Sequence, residues 1–246
     1  MTPETPPPQE RYPFWGYLDL AAFIGIAIIA LLFESVALRL FVPPKHDPSI
    51  YVVLPLQLAL YAFLMGALVL IFRRYYGRPF WQSIAWVPSR VSAGSAVGYG
   101  IGAAFAVMVG NLVLRTPDID SPMKALLSDP KAVILIALLG TTIGPLFEEI
   151  VFRGFLQPLT VRSLGAAAGV VAAAVPFGLM HLQEYGYSWR HALLISLAGA
   201  AFGWMRQRTG SLKPAVVMHI TYNCVFFALL AAQQMAMHGR WAGYGR

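Results

Sequence analysis

The chain has 246 residues, of which 58% are hydrophobic and only 12% are charged, with a mean hydropathy of +0.62. Soluble domains carry roughly 25% charged residues, so the composition excludes an ordinary soluble domain and points to a polytopic membrane protein. The formal charge of +7 does not indicate nucleic-acid binding, because the basic residues stand scattered at the ends of apolar runs and form no patch.

Residues 1–16, MTPETPPPQERYPFWG, are rich in Pro and polar residues and are expected to form a disordered tail. They lack the basic start and the small-residue cleavage site of a signal peptide, so the first span is expected to be retained. A spanning helix needs about 20 mostly apolar residues. Seven stretches meet this: Tyr17–Phe41, Ile50–Phe72, Ser92–Leu114, Ala132–Arg162, Leu164–Leu182, Ser188–Met205 and Pro214–Met235. The fourth is too long for one straight crossing. Gly144-Pro145 is expected to kink or divide it, since proline removes a backbone donor and crowds the preceding turn. The fold class is therefore an all-α transmembrane bundle of seven or eight helices. Residues 17–124 form its N-terminal helices, with a segment near 75–90 rich in Arg, Trp and Tyr that reads as interfacial or as a short loop. Residues 125–235 form a core and 236–246 a short C-terminal tail. The lone cysteine, Cys224, permits no intramolecular disulfide.

Orientation follows from Arg73, Arg74, Arg78 and Arg90 between the second and third spans, and from Arg206, Arg208 and Lys213 before the last. Both loops fall on one side with Arg162 and the N-terminus, which is expected in the cytoplasm; Lys45, Arg115, Lys124, Lys131 and Arg190 on the opposite side make the bias modest. In a bacterium the membrane would be the plasma membrane. Small residues four apart (Gly94, Gly98 and Gly102; Gly165 and Gly169; Gly199 and Gly203) let helices approach closely. Packing within a monomer is expected, with dimerisation as the alternative. No internal repeat of the kind found in many transporters is visible.

The stretch GPLFEEIVFRGFLQ, Gly144 to Gln157, places three charged side chains in lipid-soluble surroundings. A charge at a helix centre costs about 2.5–3.5 kcal/mol on insertion scales, so it is read as functional and needs a partner. Glu149 and Arg153 stand four apart, acid first, and can pair; simple mutual neutralisation is the plainer reading of these two. Glu148 lies about 100° around the helix from Glu149, free to face a cavity. His181 follows Phe177 by four residues, and His219 precedes Asn223 by four, so each pair shares a helix face. Either histidine alone reads as structural. At about 1.5 Å per residue, Glu148 and His181 lie at similar depth, and His219 and Asn223 lie within boundary error of them. The four groups can converge inside the membrane, at or below mid-depth on the cytoplasmic side.

EEIVFR, FGLMH and HITYN follow the patterns EExxxR, FxxxH and HxxxN. In this order they resemble the CPBP family of intramembrane proteases, which includes the Ras-converting type of CaaX-processing endopeptidase and bacterial abortive-infection or bacteriocin-immunity proteins. The resemblance covers about Leu126 to Leu229. It implies an endopeptidase acting near the cytoplasmic membrane face. Glu148 would activate water, His181 would assist, and His219 and Asn223 would form an oxyanion hole. Glu149, Arg153 and Phe177 would support them. No cofactor is expected. The alternative is zinc on Glu148, His181 and His219, an open three-ligand set. The partners implied are the bilayer and a peptide or protein substrate, lipid-modified or membrane-anchored in some relatives. A non-catalytic immunity or scaffold protein and a proton-linked transporter are the competing readings.

Overall fold

The computed structural model describes residues 12–42, 49–118 and 130–243; the side chains of 130–131 and 234–243 are not described. All regular structure among these residues is helical. Helix α1 spans Tyr17–Phe41 and α2 spans Ile50–Leu70, the latter capped by Ser49, whose hydroxyl accepts from the Tyr51 amide. A π turn, Ile71–Tyr75, extends α2, and the short α3, Phe80–Ser83, follows it. Helix α4 covers Ala93–Leu114 and starts on a Ser92 cap. The fourth predicted span is in pieces: α5 (Pro130–Gly140), α6 (Ile143–Glu149), a π turn (Ile150–Leu156) and α7 (Gln157–Leu164). Helix α8 is Ala166–Met180, α9 is Trp189–Thr209 and α10 is Lys213–Gly243.

Among the described residues, five stretches are long and apolar enough to cross a bilayer: Tyr17–Phe41, Ile50–Tyr75, Ala93–Leu114, Ala132–Leu164 and Lys213–Gln233. Helix α8 is apolar but only 15 residues long, and α9 carries Arg190, His191 and Arg206. The chain is thus an integral membrane bundle in which α8 and α9 pack tightly on each other. Their contact is close because Gly178 lies against Ser196 and the Ala192 carbonyl.

The break in the fourth span falls at Thr141–Thr142, a little before Gly144-Pro145. Proline at 145 cannot donate to the Thr141 carbonyl, and its ring crowds that carbonyl, so the turn opens there. Gly144 and Pro145 are themselves buried in the first turn of α6, where missing donors cost least. The packing glycine of α4 also differs from the expected one. Gly98 and Gly102 meet nothing, whereas a Cβ on Gly100 would meet the Met218 carbonyl at 2.5 Å and Thr221 at 2.7 Å. Ala96, Gly100, Ala104 and Val107 form the buried stripe.

The tail expected over 1–16 ends sooner. Residues 1–11 lie outside the described part, but Tyr12–Gly16 are packed. Trp15 is fully buried, and its indole donates to the Phe155 carbonyl at 3.0 Å. It stacks on Phe155 and leans on Phe14 and Phe72. Arg162 donates to the carbonyls of Pro13 and Trp15, and Arg206 donates to the Tyr12 hydroxyl. Nearby, the Leu212 amide donates to the Ala85 carbonyl at 2.9 Å and the Ser211 hydroxyl to the Val87 carbonyl at 2.6 Å. The N-terminal strap, the α2–α4 connection, α7 and the α9–α10 turn therefore share one end of the bundle. The C-terminal tail expected from 236 is instead helical to Gly243, with 244–246 outside the described part.

Candidate active site

The EExxxR segment straddles the junction of α6 and the π turn. Widening at that turn takes the Gln157 amide to the Phe152 carbonyl, which shifts the helix faces by one residue. Arg153 and Glu149 are both fully buried, with Nη1 donating to Oε1 at 2.9 Å. Arg153 also donates through Nη2 to the Gly199 carbonyl at 2.7 Å, and its guanidinium lies 4.3 Å from the Phe177 ring centre. One turn on, Gln157 donates to the Gly203 carbonyl at 2.8 Å. Gly199 and Gly203 thus serve as carbonyl acceptors at close approach: a Cβ on Gly199 would meet Arg153 Nη2 and Phe177 at 2.7 Å, and one on Gly203 would meet Gln157 at 2.6 Å.

Glu149 has a second partner that helical spacing could not reveal. His219 Nδ1 lies 3.0 Å from the same Oε1. That oxygen can only accept, so Nδ1 carries the proton. The other ring nitrogen, Nε2, then lies 3.7 Å from Glu148 Oε2. Phe202 stacks on the imidazole at 4.6 Å and Phe177 meets it edge-on at 5.7 Å. The ring is therefore fixed on three sides.

Glu148 keeps 15% of its side chain exposed and lines a cavity of about 530 Å³ together with Phe177, His181, His219 and Asn223. His181 Nδ1 donates to the Phe177 carbonyl at 2.8 Å, which leaves Nε2 as an acceptor. Asn223 donates one amide hydrogen to the Gly140 carbonyl at 2.6 Å. The remaining wall includes Tyr61, stacked on Phe147 at 4.3 Å, and Asn111, Glu184 and His191. These last four were not singled out in the sequence, although Asn111 interrupts an apolar span and Glu184 follows His181 by three residues. Desolvation pushes the Glu184 carboxyl above its ordinary range; the nearby Glu148 adds to the shift and His181 opposes it.

The cavity walls come from the first half of α2, the second half of α4, α5, α6, the last residues of α8, the first half of α9 and α10 beyond His219. All of these lie towards the end of the bundle away from the α2–α4 connection and the α9–α10 turn. Among the described residues, no three His, Cys, Asp or Glu side chains stand close enough to hold a metal ion.

Residues 130–225 match the family model described as Rce1-like: Type II CAAX prenyl endopeptidase Rce1-like. The segment resembles that family. The match covers less than half of the chain and coincides with the stretch in which the three motifs were read. The matched family is described as one of prenyl endopeptidases. No curated protein and no solved structure matches the chain.

Proposed function

We propose that the chain is an intramembrane endopeptidase in which Glu148 activates the attacking water. The observation that carries this is Glu148 on the cavity wall, outside the buried Glu149–Arg153 pair and 3.7 Å from His219 Nε2, with His181 on the same wall. Water donates one hydrogen to Glu148 and is steadied by the Nε2 acceptor of His181. Its oxygen attacks the peptide carbonyl, and Glu148 then returns the proton to the departing amine. A peptide and a water thus become an acid and an amine. His219, with Nδ1–H held by Glu149, offers a donor at Nε2 only as the imidazolium. In that form it stabilises the developing oxyanion beside the second amide hydrogen of Asn223. Glu149, Arg153 and Phe177 fix the imidazole.

No step is assigned to zinc. With purified protein in detergent, Glu148→Gln is expected to lower peptide cleavage by about 10²–10⁴-fold while leaving the thermal transition in place. Undiminished cleavage would overturn the assignment. Wild-type enzyme treated with a chelator is expected to keep its activity with no stoichiometric metal by elemental analysis. Loss on chelation and recovery with zinc would replace Glu148 by a metal as the activator.

A further inference from the structure

The charges on the cavity wall are one-sided. Among the described residues that line it are two carboxylates, Glu148 and Glu184, and no lysine or arginine. Arg153 is held by Glu149 and the Gly199 carbonyl. Arg190, beside His191, donates to the Arg115 carbonyl at 2.9 Å and lies over the Trp189 ring. In the proposed reaction Glu148 activates water, and Glu184 has no part. Glu184 stands in the turn after α8, three residues past His181, with its side chain exposed on the cavity wall. No described residue hydrogen-bonds to it or pairs with it at contact distance. The turn that carries it is tight: the Tyr187 amide donates to the Leu182 carbonyl at 2.7 Å, and Tyr187 takes a left-handed φ of 61°. Tyr185 stacks on His191 at 4.9 Å, and Tyr222 lines the same wall. The carboxylate is thus presented from a fixed backbone beside aromatic rings.

We infer that Glu184 is a specificity-determining residue, which receives a lysine or arginine side chain of the peptide substrate at a subsite near the scissile bond. This deepens the endopeptidase reading and rests on it. An ammonium or guanidinium taken from water into a largely apolar cavity needs an opposite charge at contact. Glu184 is the carboxylate of the described wall that is available for it. The neighbouring tyrosine rings add attraction, since a ring face draws a cation. An acidic side chain in the same place would meet two carboxylates and no lysine or arginine, and like charges brought together are repelled. An apolar side chain would cover Glu184 and leave it without a partner. The short step from His181 keeps the subsite close to the bond under attack, within reach of the flexible four-carbon stem of lysine. His181 and Glu148 both influence the titration of Glu184, as groups facing one cavity do.

The test uses the purified full chain in detergent and internally quenched peptides that are identical except for lysine, glutamine or glutamate at each position in turn. At one position the wild type is expected to favour lysine over glutamate by about tenfold or more in kcat/KM, the scale of a desolvated charge pair. Glu184→Gln is expected to remove that preference, Glu184→Asp to keep part of it, and Glu184→Lys to reverse it towards glutamate. A purely structural role for Glu184 would lower cleavage of all three peptides alike and leave their ratios in place, which overturns the inference. A wild type with no preference for lysine at any position overturns it as well. If the wild type cleaves none of the peptides, the protease reading fails, and equilibrium binding of the same peptides, fluorescently labelled, to the wild type decides the subsite. Tighter binding of a lysine peptide than of its glutamate twin, lost in Glu184→Gln, sustains it; equal binding, or none, overturns it.

Discussion

Glu148 and Glu149 are adjacent in sequence and opposite in circumstance. Glu149 accepts from Arg153 and His219 with no exposure, while Glu148 faces open space. The pairing of Glu149 with Arg153 was legible because i and i+4 side chains meet on any helix. The bond to His219 was not, because it depends on how α10 is rotated against α6 across 70 residues of chain. It changes the histidine's chemistry by fixing the tautomer. Glu184 was missed for a different reason: it sits in a turn, where no periodicity marks a face. Its raised carboxyl pKa makes a prediction. The ordinary value governs the unfolded chain and the higher one the folded chain, so the folded state binds the extra proton between them. Stability is unaffected below the ordinary carboxylate range, falls as pH rises through the raised value, and stays reduced above it. Glu184→Gln abolishes this. In detergent, its melting temperature is expected to exceed that of the wild type at neutral pH and to match it at about pH 4. An equal difference at both pH values would remove the cause assigned here.

Helix spacing predicted the elements better than their faces. Spans one to three start and end within three residues of α1, α2 with its π turn, and α4. The glycine pattern was legible as a sign of close packing. The face was not, because Gly94, Gly98, Gly100 and Gly102 leave several stripes available, and the carbonyl of Met218 selects Gly100. Gly100→Ala is therefore expected to destabilise the fold by about 1–3 kcal/mol through overpacking. Gly98→Ala, with nothing within 4 Å, is expected to be neutral or to stabilise by up to roughly 1 kcal/mol, since alanine favours helix. Thermal unfolding of both variants in one detergent measures the contrast; equal effects would refute the assignment of faces. The break at Thr141–Thr142 illustrates the same limit. Proline signalled it, but the carbonyl the ring crowds lies four residues earlier.

At the scale of the molecule, composition alone gave the all-α membrane bundle, and three short motifs located its catalytic candidates within the Rce1-like segment. The strap at Tyr12–Gly16 escaped both kinds of signal. Its proline-rich lead reads as disorder, and the value of Trp15 lies in partners distant along the chain. Trp15→Ala is expected to cost about 3–5 kcal/mol by leaving a cavity, read as a loss of thermal stability. Trp15→Phe, which keeps the ring contacts and loses only the bond to Phe155, is expected to cost about 1 kcal/mol. A wild-type melting curve for Trp15→Ala would show the strap to be dispensable.

That strap also sets an order on biosynthesis. Its partners lie 140 residues downstream at Phe155, 149 at Arg162 and 194 at Arg206. At a synthesis rate of 5–20 residues per second, about ten seconds or more pass between the emergence of Tyr12 and that of Arg206. Tyr12–Gly16 must wait through that interval. This early segment finds its place late, and the nascent chain closes that end of the bundle only after α9 has arrived.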